Sequence, residues 1–216
     1  AAVSEKTCAI LMEPIQGEGG IYPADPDYIK AVRALCDAEN ILLIFDEVQS
    51  GIGRSGKFFA YQHYGIKPDI VCMAKGIAGG FPMGGIIATD KAAQVFVPGT
   101  HASTFGGNPL ATAASRYVLK TITADGFLDE VAEKGAYLRE KLEALKADHP
   151  NIEEVRGLGL MLGVALSTPV GEVVERAMEQ GLLLVGAGGV AVRFVPPLTV
   201  SKEEIDKAVD IFAKAL

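Results

Sequence analysis

Two stretches decide the fold: ILLIFDEVQSG (41–51) and PDIVCMAKGIAGGFPMGG (68–85). Each opens on a short apolar run, as a buried strand does. The first run ends in an acid, Asp46, and the second is followed by a lysine, Lys75, and a glycine-rich loop. Between them lies enough chain for a crossover, so the two runs read as parallel strands of one sheet. Open α/β sheets bind ligands at the carboxyl ends of their strands. Asp46 and Lys75 are therefore expected to project at one such edge.

Outward from this centre the pattern repeats. CAILMEP (8–14) reads as a further buried strand ending at Glu13, and GGIIATD (84–90) as a fourth. Asp25-Pro26 is a helix start, an N-cap followed by proline at the first helical position. Ile29, Val32 and Leu35 give that helix an apolar face. Continuous apolar runs suit a sheet covered on both faces. From Asn108 the spacing changes to long helices, one from Pro109 to about Ile122. A second carries Phe127, Leu128, Val131, Leu138, Leu142 and Leu145 on one side and ends near His149-Pro150-Asn151. Strands are expected around Val155, over LMLGVAL (160–166), over LLLV (182–185) and over VAVRFV (190–195), with a helix from about Val170 to Gln180. Ser201-x-x-Glu204 is a capping box that starts the last helix, with Ile205, Val209, Phe212 and Leu216 as its stripe. The fold class expected is α/β. Residues 1–125 form part of a mostly parallel-sheet large domain, and residues 126–216 a small C-terminal α+β domain.

Composition narrows the function classes. A length of 216 residues is ample for a real core. A net charge of −7 argues against non-specific nucleic-acid binding. No apolar run approaches the length of a membrane span. Cys8, Cys36 and Cys72, an odd and scattered set in apolar stretches, read as reduced core thiols of a cytosolic protein. No CxxC or HxxxH spacing suggests a metal. Gly51-Ile-Gly53-Arg-Ser-Gly56 is a GxGxxG after a strand, but a lone match is weak. A dinucleotide site asks for an acid about 20 residues on, at the next strand end, and the strand here ends before Lys75.

Four motifs in order, EPIQGEGG (13–20), FDEVQSGIGRSG (45–56), PDIVCMAKGIAGGFPMGG (68–85) and GTHASTFGGNPLA (99–111), resemble the class III aminotransferases of fold type I. The wording is nearest to members acting on acetylornithine, then to those acting on ornithine, and the chain resembles their C-terminal half. The resemblance implies pyridoxal 5'-phosphate as cofactor and Lys75 as the catalytic Schiff-base lysine. Asp46 is then the acid that keeps the pyridine nitrogen protonated, and Gln49 a hydrogen-bond partner of the ring's 3-oxygen. Glu47 and Val48 lie in the same binding segment, with Val48 packed on the ring. Thr104 implies a contact to the cofactor phosphate of a neighbouring subunit, hence a homodimer with shared sites, and Ser103 lies beside the substrate. Arg193 matches a carboxylate-binding arginine. A guanidinium fork suits a carboxylate bidentately. Glu18 matches the acid that masks it when an ω-amino donor binds and releases it for 2-oxoglutarate; Glu13 is expected near this pair.

Acetylornithine, ornithine, succinyl-diaminopimelate and 4-aminobutyrate all fit as donors. The helix N-terminus that holds the phosphate, the aromatic that stacks on the ring, and a second arginine belong to the family's N-terminal half. These 216 residues alone are therefore expected to bind the cofactor poorly and to be inactive. The alternative reading is a non-catalytic structural or dimerisation fragment.

Overall fold

The computed structural model describes residues 3–216. In chain order the elements are β1 (Ala9–Met12), β2 (Ile15–Gln16), β3 (Tyr22–Pro23), α1 (Pro26–Ala38), β4 (Leu42–Asp46), β5 (Ile70–Met73), β6 (Gly85–Ala88), α2 (Asp90–Ala93) and α3 (Pro109–Ile122). Then come α4 (Phe127–Ala144), β7 (Ile152–Leu158), β8 (Met161–Leu166), α5 (Val170–Glu179), β9 (Val185–Ala187), β10 (Ala191–Phe194) and α6 (Lys202–Ala215). Short 3-10 turns occupy Ala60–Tyr64, Lys75–Ala78 and Leu145–Ala147.

The chain divides into two compact units that are not consecutive blocks of sequence. The first is 1–14, 24–52 and 58–124; the second is 15–23, 53–57 and 125–216. The stretch 125–216 lies wholly in the second unit. The segments 15–23 and 53–57 leave the first block because the β2–β3 hairpin and the GRSGK loop make their close contacts in the second unit.

The first unit holds a four-stranded sheet in the order β1-β4-β5-β6. β1, β4 and β5 are parallel, and β6 is antiparallel to β5. Asp25 caps α1 by accepting from the amides of Asp27 and Tyr28 at 2.9 Å, a contribution of about 1 kcal/mol. Ile29, Val32 and Cys36 of α1 pack with Leu43, Phe45 and Tyr64 against one face of the sheet. The opposite face differs from the expectation of double cover. Leu11 and Ile86, which alternation places there, are 65% and 48% exposed. Arg33 bonds Asp69 at 2.9 Å, and Asp69 also accepts from the Leu43 amide at 2.8 Å, which ties α1, β4 and the start of β5 together.

The second unit packs α4, α5 and α6 with an antiparallel sheet ordered β7-β8-β10-β9. Its core includes Leu138, Leu142, Leu160, Leu162, Val192, Ile205 and Phe212. Phe194 meets Phe212 edge-on at 5.1 Å. The capping box forms as expected, Ser201 accepting from the Glu204 amide and Glu204 from that of Ser201. LLLV is not a strand. Gly181 closes α5 at φ +85°, Leu182 and Leu184 turn toward the core, and Leu183 stays 81% exposed; pairing begins only at Val185. Cys36 is buried and Cys72 half-buried, but Cys8 is exposed, just before β1, and so is not a core thiol. No helix among the described residues is long and apolar enough to cross a membrane.

Candidate active site

Register decides which side chains share an edge. Met12 pairs with Phe45, Phe45 with Val71, and Asp46 with Cys72. In parallel neighbours the carboxyl ends coincide, so Glu13, Asp46 and Lys75 emerge along one edge of the first sheet. Alternation places Asp46 on the face of Leu42 and Ile44, opposite the buried Leu43 and Phe45. Its Oδ1 accepts from the Val48 amide at 2.9 Å, which steers the carboxylate. Burial, and then the Asp46 charge, push the Cys72 thiol above its ordinary value. That thiol is therefore a neutral neighbour of Asp46 at neutral pH.

Glu47 faces the other way and is wholly buried. Its carboxylate accepts from the amides of Ala60 at 2.6 Å and Tyr61 at 2.8 Å, and from the Ser50 hydroxyl at 3.2 Å. Burial raises its pKa; these three donors oppose the rise and the Asp46 charge adds to it. Within the expected binding segment, the Glu47 carboxylate is thus committed to the chain's own donors. Its carboxylate supports the turn that presents Asp46, Val48 and Gln49 from beneath. Val48 and Gln49 are half-buried on that turn.

Lys75 opens a 3-10 turn with φ at +49°. A left-handed conformation costs a non-glycine residue roughly 1–2 kcal/mol, and such strain collects at functional sites. Lys75 is exposed and borders an open hollow with Gly76, Gly80, Phe81, Pro82 and Met83. Pro82 and Met83 also line a neighbouring hollow with Gly84, Ser103, Gly106 and Asn108. Ser103 is thus brought beside the loop that follows Lys75. Thr104 is exposed on the same segment, ahead of α3. Asn108 caps that helix by accepting from the Ala111 amide at 2.9 Å.

Glu18 and Arg193 belong to the second unit and form an ion pair at 2.6 Å. The two ends differ in exposure: the Arg193 side chain is 11% exposed, that of Glu18 71%. Glu18 sits in the turn between β2 and β3, and Arg193 lies on β10 between its partners Gly163 and Val185. Glu13 belongs to the first unit, where it follows β1 level with Asp46. The GxGxxG loop also has a structural role. Arg54 donates to the carbonyls of Leu160 at 3.0 Å and Pro196 at 2.6 Å, and burial lowers its pKa to about 10. A guanidinium buried against backbone carbonyls fastens a loop; it is not presented to a phosphate. Sequence reasoning passed over Arg54 as part of a decoy, and over Arg156 entirely, because an arginine inside a strand carries no local signal of its partners.

An acid and a lysine at adjoining strand ends, with a separate guanidinium–carboxylate pair, agree with what comparison finds. The aminotransferase class-III family matches residues 1–216, and the chain belongs to that family. It is 53% identical over 216 residues to the acetylornithine aminotransferase of Caldanaerobacter subterraneus subsp. tengcongensis, covering 100% of this chain and 55% of that protein. It is 45% identical over 208 residues to the Bacillus subtilis acetylornithine aminotransferase, covering 96% and 54%. Among solved structures, ornithine delta-aminotransferase of Plasmodium falciparum matches with a TM-score of 0.90 at 35% identity, over 96% of this chain and 56% of that one. N-acetylornithine aminotransferase of Stenotrophomonas maltophilia K279a matches with a TM-score of 0.88 at 38% identity, over 96% and 56%. The chain spans about half the length of the curated relatives it matches.

Proposed function

We propose that this chain carries the catalytic lysine and the acceptor-carboxylate site of an aminotransferase that moves the terminal amine of acetylornithine, or a related ω-amino donor, to 2-oxoglutarate. The observation that carries this reading is the shared strand edge of Asp46 and Lys75, with Lys75 held in a strained conformation at the mouth of a glycine-rich loop. Class III aminotransferases use pyridoxal phosphate, and the donor set suits it. A steered carboxylate at the sheet edge matches a protonated ring nitrogen, and an exposed amine at the next strand end matches an aldehyde.

Asp46 would hold the ring nitrogen and Gln49 the ring's 3-oxygen, with Val48 against the ring. When bound, the cofactor supplies an electron sink that stabilises negative charge at the substrate's amine-bearing carbon. The Lys75 amine would take and return the proton at that carbon as general base and acid. Glu47 keeps the turn under Asp46 rigid. Arg193 would receive a carboxylate of 2-oxoglutarate once Glu18 withdraws, and would stay neutralised by Glu18 while the donor occupies the site. The exposed loop with Ser103 and Thr104 supports a shared site in a homodimer, Thr104 toward the partner's phosphate and Ser103 toward substrate. The first unit then serves as the C-terminal part of a large cofactor domain and the second as the small domain, in an enzyme of arginine biosynthesis in the cytoplasm.

The test follows absorbance while the intact protein is titrated with pyridoxal phosphate, then assays transamination of acetylornithine. A visible band that depends on Lys75, with glutamate formed from 2-oxoglutarate, is expected. Absence of both in a folded, dimeric protein would favour a structural module instead.

A further inference from the structure

Arg156 is a buried cation that none of the chemistry above uses. It stands on β7, is 8% exposed, and makes three contacts. Nε donates to the Gly20 carbonyl at 2.8 Å, and Nη1 to the Glu154 carboxylate at 2.8 Å. The guanidinium also lies over the Tyr22 ring, 3.6 Å from its centroid, a cation–π contact of good geometry. Gly20 and Tyr22 flank Ile21, which is fully buried. Arg156 therefore grips the shoulder of the β2–β3 turn two residues after Glu18.

The backbone there is shaped for this grip. Gly20 has φ at +120°, and a Cβ on it would lie 2.9 Å from the Tyr22 ring and 3.2 Å from Arg156 Nη2. On the other side Gly188, with φ at +61°, lets the turn pass closely, since a Cβ there would meet the Gly19 carbonyl at 2.7 Å. The shoulder is thus held from two sides, while Glu18 at the tip remains largely exposed. In the Glu18–Arg193 pair, the arginine is enclosed and the acid is the partner that can be displaced.

We propose that Arg156 is a positioning residue for the acceptor site: by pinning Gly20 and Tyr22 it holds Glu18 on Arg193, and so sets how strongly Glu18 competes with a substrate carboxylate. This rests on the reading of Arg193 as a carboxylate site. The physical argument is one of populations. A dicarboxylate binds Arg193 only when the pair is open, so its apparent Kd is the intrinsic value divided by the open fraction. Loosening the shoulder lets the tip wander, raises the open fraction and tightens dicarboxylate binding. The ω-amino donor, which needs Arg193 neutralised, is disfavoured by the same change.

The test measures binding of glutarate, an unreactive five-carbon dicarboxylate, by calorimetry on the intact, cofactor-loaded protein. The proteins compared are wild type, Arg156→Lys, Glu18→Gln and the double variant. Lysine keeps the charge but loses the fork and the stacked plane. The expected result is a Kd lowered roughly three- to tenfold in Arg156→Lys, lowered at least as much in Glu18→Gln, and no further in the double variant. An unchanged or raised Kd in folded Arg156→Lys, with Glu18→Gln still tightening, overturns the proposal and leaves Arg156 as scaffold. Should Arg156→Lys fail to fold, Tyr22→Leu, which removes the stacking face alone, decides by the same criterion. A Glu18→Gln protein with wild-type glutarate affinity is a different failure, because it refutes the masked carboxylate site and takes this inference with it.

Discussion

Asp46 stands opposite Cys72 in the parallel register of β4 and β5, so Lys75 begins its turn three residues further along the same strand edge. The acid and the amine are placed by backbone pairing, and no direct bond between them is needed to align them. Variants that leave the pairing intact should therefore separate chemistry from fold.

Lys75 is the first such position. In the intact protein both Lys75→Ala and Lys75→Gly should abolish transamination and the lysine-dependent visible band. Their stabilities should differ in a direction set by φ. The left-handed backbone costs alanine roughly 1–2 kcal/mol and glycine little, against a loss of about 0.4–1 kcal/mol from glycine's freer unfolded chain. Lys75→Gly should therefore be at least as stable as Lys75→Ala in denaturant titration. A glycine variant less stable by more than about 1 kcal/mol would show that Lys75 is not strained.

Glu47 should matter to stability. Glu47→Ala leaves the Ala60 and Tyr61 amides without their acceptor, and each stranded buried donor costs roughly 1–3 kcal/mol. A loss of several kcal/mol is expected, with Glu47→Gln in between. The pH dependence follows from the raised pKa. The folded state binds this proton more tightly than the unfolded chain, so the group's contribution is fully present below the ordinary Glu value of about 4.3 and is lost as pH rises through the folded value. Wild type minus Glu47→Gln stability should decline across that window. An unchanged or rising difference would contradict the assignment.

Asp69 should act at the opposite end. Burial alone would raise its pKa, but the Leu43 amide and Arg33 outweigh it and hold the carboxyl below its ordinary value. A depressed carboxylate contributes stability above the unfolded value, about 3.9, and loses it as pH falls through the folded one. Asp69→Asn should therefore be less stable than wild type at neutral pH and should show a shallower acid limb. Identical acid limbs in thermal melts at pH 2 to 6 would count against the pairing with Arg33.

Arg193→Ala should weaken 2-oxoglutarate far more than the amino donor. Loss of a charge-assisted contact is worth roughly 1.5–3 kcal/mol, or about one to two decades in apparent affinity. Separate half-reaction kinetics check this. Equal losses for both substrates would make Arg193 structural.

Much of this protein is legible from local pattern alone. The Asp25-Pro26 helix start, the Ser201 and Glu204 box, the apolar strands and the Asp46 and Lys75 strand ends are short-range features, and short-range physics places them. The family motifs are likewise contiguous. Tertiary structure decided what depends on distant partners. Glu47 reads like its neighbours in DEVQ, and only the position of Ala60 and Tyr61 turns its carboxylate inward. The GIGRSG loop resembles a phosphate cradle until Leu160 and Pro196 are seen to accept from Arg54. Residues 15–23 follow a strand of the first sheet, yet their place is in the second unit, because Gly20, Tyr22 and Glu18 find Arg156 and Arg193 more than 130 positions away. Periodicity and capping report what a residue does within one element; the partner of a buried charge is chosen by whichever distant backbone can satisfy it, and that choice is written only in the folded chain.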